Sequence, residues 1–82
     1  MNKEQLFQLV VGHVKEVIPE LNSHPFQYDD RLQDLGANSM DRAEIIMLTL
    51  DSLSLKIPRI ELFGPKNLGE LVDLLGTKLQ AA

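Results

Sequence analysis

The stretch that joins a loop to a helix near the middle of the chain reads LGANSMDRAEIIMLTLDSL over residues 35–53. From residue 39 onward, apolar side chains recur at i, i+3, i+7 and i+10, the spacing of one helix face. The positions on that face are Ala43, Ile46, Leu50 and Leu53. Gly36, just before them, permits a tight or left-handed backbone. The pattern predicts a helix over residues 39–53.

Amphipathic helices are also predicted on both sides of this stretch. Residues 3–18 place a broad apolar stripe on one arc, made of Leu6, Phe7, Val10, Val11, Val14, Val17 and Ile18. Residues 59–63 are expected to form a short helix, and Asn67-Leu68-Gly69-Glu70 has the form of a capping box that opens a last helix. No segment alternates with the period of a strand. The sequence therefore predicts an all-α fold with three substantial helices, one short helix and a long first connection over residues 22–38.

The composition describes a small acidic protein. The chain has 82 residues, with 8 basic and 12 acidic side chains and a net charge of −4. It fits one domain over residues 1–82 and contains no cysteine, which excludes disulfides and thiolate metal sites. An acidic chain is a poor partner for nucleic acid, and no apolar run reaches the ~18 residues of a membrane span. Because the N-terminus also lacks a signal-peptide pattern, we expect a cytoplasmic protein with no membrane or nucleic-acid partner. With no cysteine and only two histidines we expect no bound metal, and we expect the protein to be a monomer.

Enzymatic residues are hard to find in this sequence. Ser39 has no evident general base, since His13 and His24 lie far from it along the chain. Both histidines are interpreted as ordinary structural or solvent-exposed side chains. The carboxylates are scattered along the helices, and Gly64-Pro65-Lys66 is a turn rather than a phosphate-binding loop. We therefore predict no catalytic residue.

The polar face of the central helix is open to two interpretations. Asp41, Glu44 and Asp51 fall within about 80° of arc, opposite the apolar face. The apolar residues Leu48, Met40 and Met47 lie inside this arc or at its edge. Such a face is either simply exposed to solvent or a docking surface, on which carboxylates attract a basic partner and the methionines give adaptable apolar contact.

Ser39 is likewise open to two interpretations. It falls at the start of the helix, where serine and asparagine are both favoured as N-caps, so Ser39 or Asn38 could serve as the cap. A serine here is also exposed, and a phosphate on it would face the positive end of the helix dipole.

At this junction the chain resembles an acyl carrier protein, whose signature is Leu-Gly-x-Asp-Ser-Leu at the start of the second helix. Residues 35–40 match that signature, and Ile57-Pro58 matches the pair before the short third helix. The resemblance covers essentially the whole chain and implies a four-helix bundle with a long first loop. It implies that a phosphopantetheinyl transferase attaches 4′-phosphopantetheine to Ser39. The thiol of that group then carries an acyl thioester, and the chain itself is non-catalytic. It also implies a partner-docking surface, for which we select Asn38, Met40, Asp41, Arg42, Glu44, Met47, Leu48, Asp51, Arg59 and Ile60.

A narrower resemblance follows from where the chain departs from that pattern. Asn38 replaces the usual aspartate, Leu50 stands where typical fatty-acid carriers have an acidic residue, and Thr49 stands where they have an apolar one. The last two departures indicate either a slightly rotated helix or a specialised surface. Asn38-Ser39-Met40-Asp41-Arg42-Ala43-Glu44-Ile45, with Ile57-Pro58-Arg59-Ile60-Glu61-Leu62, is similar to the free-standing donor carriers of polyketide β-branching cassettes. This similarity implies an acetyl group formed by decarboxylating malonyl on the carrier. It implies three acyl-handling partners: a malonyl acyltransferase, a decarboxylating ketosynthase-like enzyme and a hydroxymethylglutaryl-CoA (HMG-CoA)-synthase-like enzyme.

Arg42 is the residue expected to discriminate between partners, because a cation within an acidic helix changes which basic surface fits. The alternative is a surface arginine that pairs locally with Asp41 or other neighbours, an interaction worth little. Two other functions remain as hypotheses for the whole chain. One is an ordinary elongation carrier of fatty-acid or polyketide synthesis, and the other is an unmodified helical interaction module in which Ser39 is only an N-cap.

Overall fold

Three α-helices and two short 3₁₀ turns make up the computed structural model, which describes residues 1–81. The α-helices are α1 (Lys3–Val17), α2 (Ser39–Leu53) and α3 (Leu68–Ala81). The 3₁₀ turns are Pro19–Leu21 and Arg59–Leu62. No strand occurs within the described residues, so the all-α prediction is confirmed.

Two details of the four-helix prediction need correction. The expected short third helix is a single 3₁₀ turn of four residues, Arg59–Leu62. A further 3₁₀ turn, Pro19–Leu21, follows α1 and was not predicted. Both turns begin at a proline, Pro19 at the first position of one and Pro58 at the N-cap of the other, where its fixed φ suits a helix start. None of the described helices combines the length and the apolar character needed to cross a bilayer.

Helix α1 is the central element of the core, since it packs against both α2 and α3. A capping box fixes its start: the Asn2 side chain accepts the Gln5 N–H at 2.8 Å, and the Gln5 side chain accepts the Asn2 N–H at 3.0 Å. Its buried residues are Leu6, Phe7, Val10, Val11 and Val14, five of the seven predicted. The other two, Val17 and Ile18, are half-buried at the end of the helix.

The buried face of α2 is rotated from the predicted one. Its buried residues are Ile45, Ile46, Thr49 and Leu50, whereas the predicted Ala43 and Leu53 are only half-buried. Thr49 is 1% exposed, and its hydroxyl donates to the Ile45 carbonyl at 2.8 Å. Because that local bond satisfies the hydroxyl, a polar side chain is accommodated where the period alone predicts solvent.

The long first connection is tied to the start of α3 by two backbone hydrogen bonds. The Leu68 N–H donates to the Asp30 carbonyl at 2.9 Å, and the Gly69 N–H donates to the Tyr28 carbonyl at 2.7 Å. The Tyr28 ring lies 4.4 Å from the Phe7 ring, centroid to centroid. These contacts hold the connection against α1 and α3. They thereby fix the position at which the connection meets the start of α2.

The predicted capping box of α3 is present in part. The Asn67 side chain accepts the Glu70 N–H at 2.8 Å, as predicted. The Glu70 carboxylate accepts the N–H of Lys66, at 3.2 Å, instead of the expected Asn67 N–H.

The tight contact at Gly69 generates a stability prediction. A Cβ at residue 69 would lie 3.0 Å from the Tyr28 carbonyl oxygen and 3.2 Å from the Tyr28 Cβ. We expect Gly69→Ala to lower the free energy of unfolding by about 1–2 kcal/mol, because backbone atoms must move apart. Gly12→Ala in α1 is the matched control, since nothing lies within 4 Å of the place where the added Cβ would sit. It should raise the free energy of unfolding by about 0.5–1 kcal/mol. Urea unfolding measures the free energy of unfolding of both variants. A Gly69→Ala variant as stable as wild type would contradict the close backbone contact between Gly69 and Tyr28.

Asp30 organises the same connection and generates a pH prediction. Its carboxylate accepts the Gln27 N–H at 2.8 Å and contacts the His24 Nε2 at 3.0 Å. Burial by itself would raise the pKa of Asp30, but the Gln27 N–H and then His24 outweigh burial and lower it below the ordinary value of 3.8.

A carboxyl whose pKa is lower in the folded state stabilises the fold above its unfolded pKa and loses that contribution as the pH falls through the folded pKa. Asp30→Asn should therefore reduce the loss of stability between about pH 5 and pH 3. Urea unfolding over that range measures it, with Asp34→Asn, an exposed carboxylate of the same connection, as control. Equal pH dependence of wild type and Asp30→Asn would contradict the pairing.

Candidate functional site

The first connection enters α2 through a tight, well-bonded corner. Gly36 has a φ of +97°, a left-handed value that favours glycine. Ala37 follows and is buried, and its N–H donates to the Leu32 carbonyl at 3.0 Å. The corner therefore holds the residues that follow it in one place.

Asn38, and not Ser39, is the N-cap of α2. The Asn38 side chain accepts the Asp41 N–H at 2.8 Å, and the Asp41 carboxylate accepts the Asn38 N–H at 3.2 Å. This reciprocal pair is a capping box. The hypothesis that Ser39 is only a cap is therefore wrong. Ser39 is the first residue of the helix and is exposed, so its hydroxyl is accessible to an incoming enzyme.

Arg42 lies one turn further along α2 and faces back toward this corner. Its Nη1 donates to the Ala37 carbonyl at 2.9 Å, and its Nη2 lies 3.4 Å from the Ser39 Oγ. The sequence leaves two interpretations of Arg42: a residue that discriminates between partners, and a surface arginine that pairs locally with Asp41 or other neighbours. Arg42 is half-buried and contacts its neighbours Ala37 and Ser39 instead of Asp41, so it does pair locally. Its role in partner discrimination stays a prediction.

A groove of about 560 Å³ opens beside Ser39. Its walls come from the first connection, from α2, and from the segment between the second 3₁₀ turn and the start of α3. Ser39 and Arg42 lie on its α2 side, and Ile46, Leu62 and Leu71 contribute apolar surface. The groove is therefore lined by both polar and apolar side chains, with Ser39 among them.

The solvent-facing side of α2 forms a narrow stripe of alternating chemistry. We call it the α2 stripe, and its residues are Met40, Glu44, Met47 and Asp51. Met40 is 81% exposed and Met47 is 47% exposed, large values for apolar side chains. Of the other predicted docking residues on the helix, Leu48 is half-buried and Asp41 is engaged in the capping box.

The second 3₁₀ turn extends this exposed surface. Arg59 places its Nη1 2.8 Å from the Met47 Sδ, and Ile60 is 74% exposed. Phe63, 45% exposed, was not predicted as a site residue. The sequence signal for Phe63 is its place directly before Gly64-Pro65. The short helix ends there, so its period does not assign the ring to a buried face.

No catalytic constellation forms around Ser39 in the described part of the chain. His13 is hydrogen-bonded to the Ser52 hydroxyl at 2.9 Å, and His24 is paired with Asp30. Residues 1–81 also contain no group of three or more metal-binding side chains. The chemistry that the site offers is therefore that of an accessible, positioned serine hydroxyl.

The division of roles between Asn38 and Ser39 predicts that two alanine substitutions affect stability unequally. Asn38→Ala should lower the free energy of unfolding by about 0.5–2 kcal/mol, because α2 loses its cap. Ser39→Ala should change it by less than about 0.5 kcal/mol. Thermal and urea unfolding of both variants measure the difference, and a larger loss for Ser39→Ala would show that the serine is the cap.

Comparison with known proteins agrees with this geometry. Residues 8–75 match a family model described as a phosphopantetheine attachment site. The polyketide biosynthesis acyl-carrier-protein AcpK of Bacillus subtilis (strain 168) is 52% identical over 82 residues, which is all of both chains. The acyl carrier protein of Guillardia theta is 27% identical over 81 residues, 99% of this chain and 100% of that protein.

A solved structure is similar over nearly the same length. It is the crystal structure of the curacin biosynthetic pathway HMG synthase in complex with an acetyl donor acyl carrier protein. The matched chain is 48% identical, with a TM-score of 0.90 over 94% of this chain and 99% of that one. The chain described here therefore belongs to the acyl carrier proteins, a family of carriers whose cofactor is 4′-phosphopantetheine.

Proposed function

We propose that Ser39 carries the 4′-phosphopantetheine group and that the chain is a discrete donor carrier of acetyl groups for β-branching in polyketide biosynthesis. The observation that supports the attachment point is the exposed Ser39 hydroxyl at the first position of α2, which Asn38 relieves of any capping role. A serine that does not hold the helix start can be esterified without loss of the cap.

The residues around Ser39 fit a phosphate ester. The first N–H groups of a helix point outward and, with the helix dipole, favour negative charge at this end. When bound, the group supplies a thiol on a flexible arm, which carries an acyl group as a thioester. The chain has no cysteine, so it contains no thiol of its own that could exchange with that thioester. Tethering raises the effective concentration of the acyl group at each enzyme that binds the carrier.

The donor role is supported by two of the similar proteins. The 48% identical chain is named as an acetyl donor in complex with an HMG synthase, and the 52% identical relative is named as a polyketide carrier. We infer that a phosphopantetheinyl transferase loads this chain and that a malonyl acyltransferase supplies malonyl. A decarboxylating ketosynthase-like enzyme then leaves acetyl on the arm. The acetyl group passes to an HMG-CoA-synthase-like enzyme.

We assign partner docking to the α2 stripe together with Arg59 and Ile60. The stripe offers two carboxylates for a basic rim and two methionines whose flexible side chains adapt to an apolar surface. Asn38, Asp41 and Arg42 are engaged with one another or with the corner, so we reassign them from docking to shaping the attachment site. Leu48 is half-buried and contributes little to the surface.

Loading is tested by intact mass after incubation with coenzyme A and a broad-specificity phosphopantetheinyl transferase. The wild-type chain should gain one phosphopantetheine group, and Ser39→Ala should gain none. Ser52→Ala, which removes a hydroxyl elsewhere on α2, should load like wild type. Loading of Ser39→Ala would contradict the attachment point.

Docking is tested by transfer of acetyl from the loaded carrier to an HMG-CoA-synthase-like enzyme. Glu44→Lys and Asp51→Lys should each slow transfer by about two- to five-fold at low salt, and by less at high salt, because exposed charges are screened. Glu20→Lys, an exposed acidic residue outside the α2 stripe, is the control. Unchanged transfer in both stripe variants at low salt would contradict the docking assignment. Faster transfer to an elongating ketosynthase than to the synthase would favour the elongation carrier instead.

A further inference from the structure

The groove beside Ser39 has a charge opposite to that of the chain as a whole. Three cationic residues line it, Arg31, Arg42 and Lys66, and the described lining contains no aspartate or glutamate. The chain carries 12 acidic residues against 8 basic ones, so a cation-only lining is not what its composition favours. A cleft lined by one sign of charge concentrates ligands of the other sign. This groove therefore fits an anion.

Arg42 is the cation of the groove lining that contacts Ser39. One arm of its guanidinium donates to the Ala37 carbonyl at 2.9 Å, which fixes the plane of the group. The other arm, Nη2, makes only a long contact of 3.4 Å with the Ser39 Oγ. None of the ion pairs among residues 1–81 involves Arg42. Its charge is thus directed at the serine oxygen without a carboxylate to neutralise it.

We propose that Arg42 binds the phosphodiester of the phosphopantetheine arm and thereby directs the base of the arm into this groove. The proposal rests on the proposed function, in that Ser39 carries the arm. Esterification places a phosphorus on the Ser39 Oγ and two non-bridging oxygens one bond further out, where the Nη2 of Arg42 already points. Guanidinium–phosphate hydrogen bonds are short and strong because both groups are charged.

The rest of the groove suits the arm that follows the phosphate. Arg31 and Lys66 add positive potential to the lining, and neither takes part in an ion pair within the described residues. Ile46, Leu62 and Leu71 supply apolar surface for the methyl-bearing part of the arm. Arg42 acts here as a positioning residue, and this role differs from the partner discrimination that its sequence position suggested.

The test compares apo and loaded chains by NMR, which a chain of this size permits. Loading is first established by intact mass. In the loaded wild type, the Nε–H resonance of Arg42 and the backbone amides of Ile46 and Leu71 should shift, and the single phosphorus resonance should move as salt is added. In Arg42→Gln the amide shifts at Ile46 and Leu71 should be lost and the phosphorus resonance should become insensitive to salt. Lys56→Gln, which removes an exposed cation outside the groove, should behave like wild type.

Two further comparisons keep the outcome decisive. Arg42→Lys keeps the charge but not the planar fork, so it should retain part of the salt response. If Arg42→Gln does not fold, the inference is tested by comparing the Arg42 Nε–H resonance between apo and loaded wild type. A loaded wild type in which that resonance does not move overturns this inference but leaves the proposed function intact. A wild type that does not load overturns the proposed function and this inference together.

Discussion

The hydrogen bond from the Asp41 N–H to the Asn38 side chain sets the start of α2, and the proposed attachment site at Ser39 depends on it. Because Asn38 satisfies the helix end, the next residue can present a free hydroxyl at the same place. The corner behind it is fixed from the other side, since Gly36 takes a left-handed backbone and Ala37 is buried. A helix start that is capped by one residue and chemically accessible at the next is what a covalent carrier requires.

Helix α2 serves three purposes on three of its faces. Ile45, Ile46 and Thr49 pack into the core against α1. Arg42 faces the corner and the groove, while the α2 stripe faces solvent. This separation lets one 15-residue helix hold the fold together and, in the proposed function, position the attached group and present a docking surface. The long first connection supports all three, because its bonds to α3 hold the start of α2 in place.

Much of the fold could be predicted from the sequence, because local signals specify it. The bounds of α2 agree with the predicted residues 39–53, and those of α1 differ from residues 3–18 by one residue. The choice between Asn38 and Ser39 as cap could not be made, since both side chains cap well and only the backbone geometry separates them. The helical period did not assign Thr49 to the buried face, because threonine counts as a polar residue. In the structure its hydroxyl donates to the Ile45 carbonyl of the same helix, so the side chain can be buried.

The surroundings of the site were less predictable than the site itself. Ser39 is recognised from a short motif, but the direction of Arg42 depends on where Ala37 presents its carbonyl. Arg31 and Lys66 meet at the groove only after the connection has folded onto α3, so no spacing in the sequence relates them. Contacts of this kind are set by tertiary packing.

The most direct measurement is to locate the modification within the chain. Fragmentation mass spectrometry of the loaded protein distinguishes its four serines, Ser23, Ser39, Ser52 and Ser54. The group should be found on Ser39, with fragments that contain any other serine unmodified. A group on any other serine would contradict the proposal that Ser39, at the capped start of α2, is the attachment site.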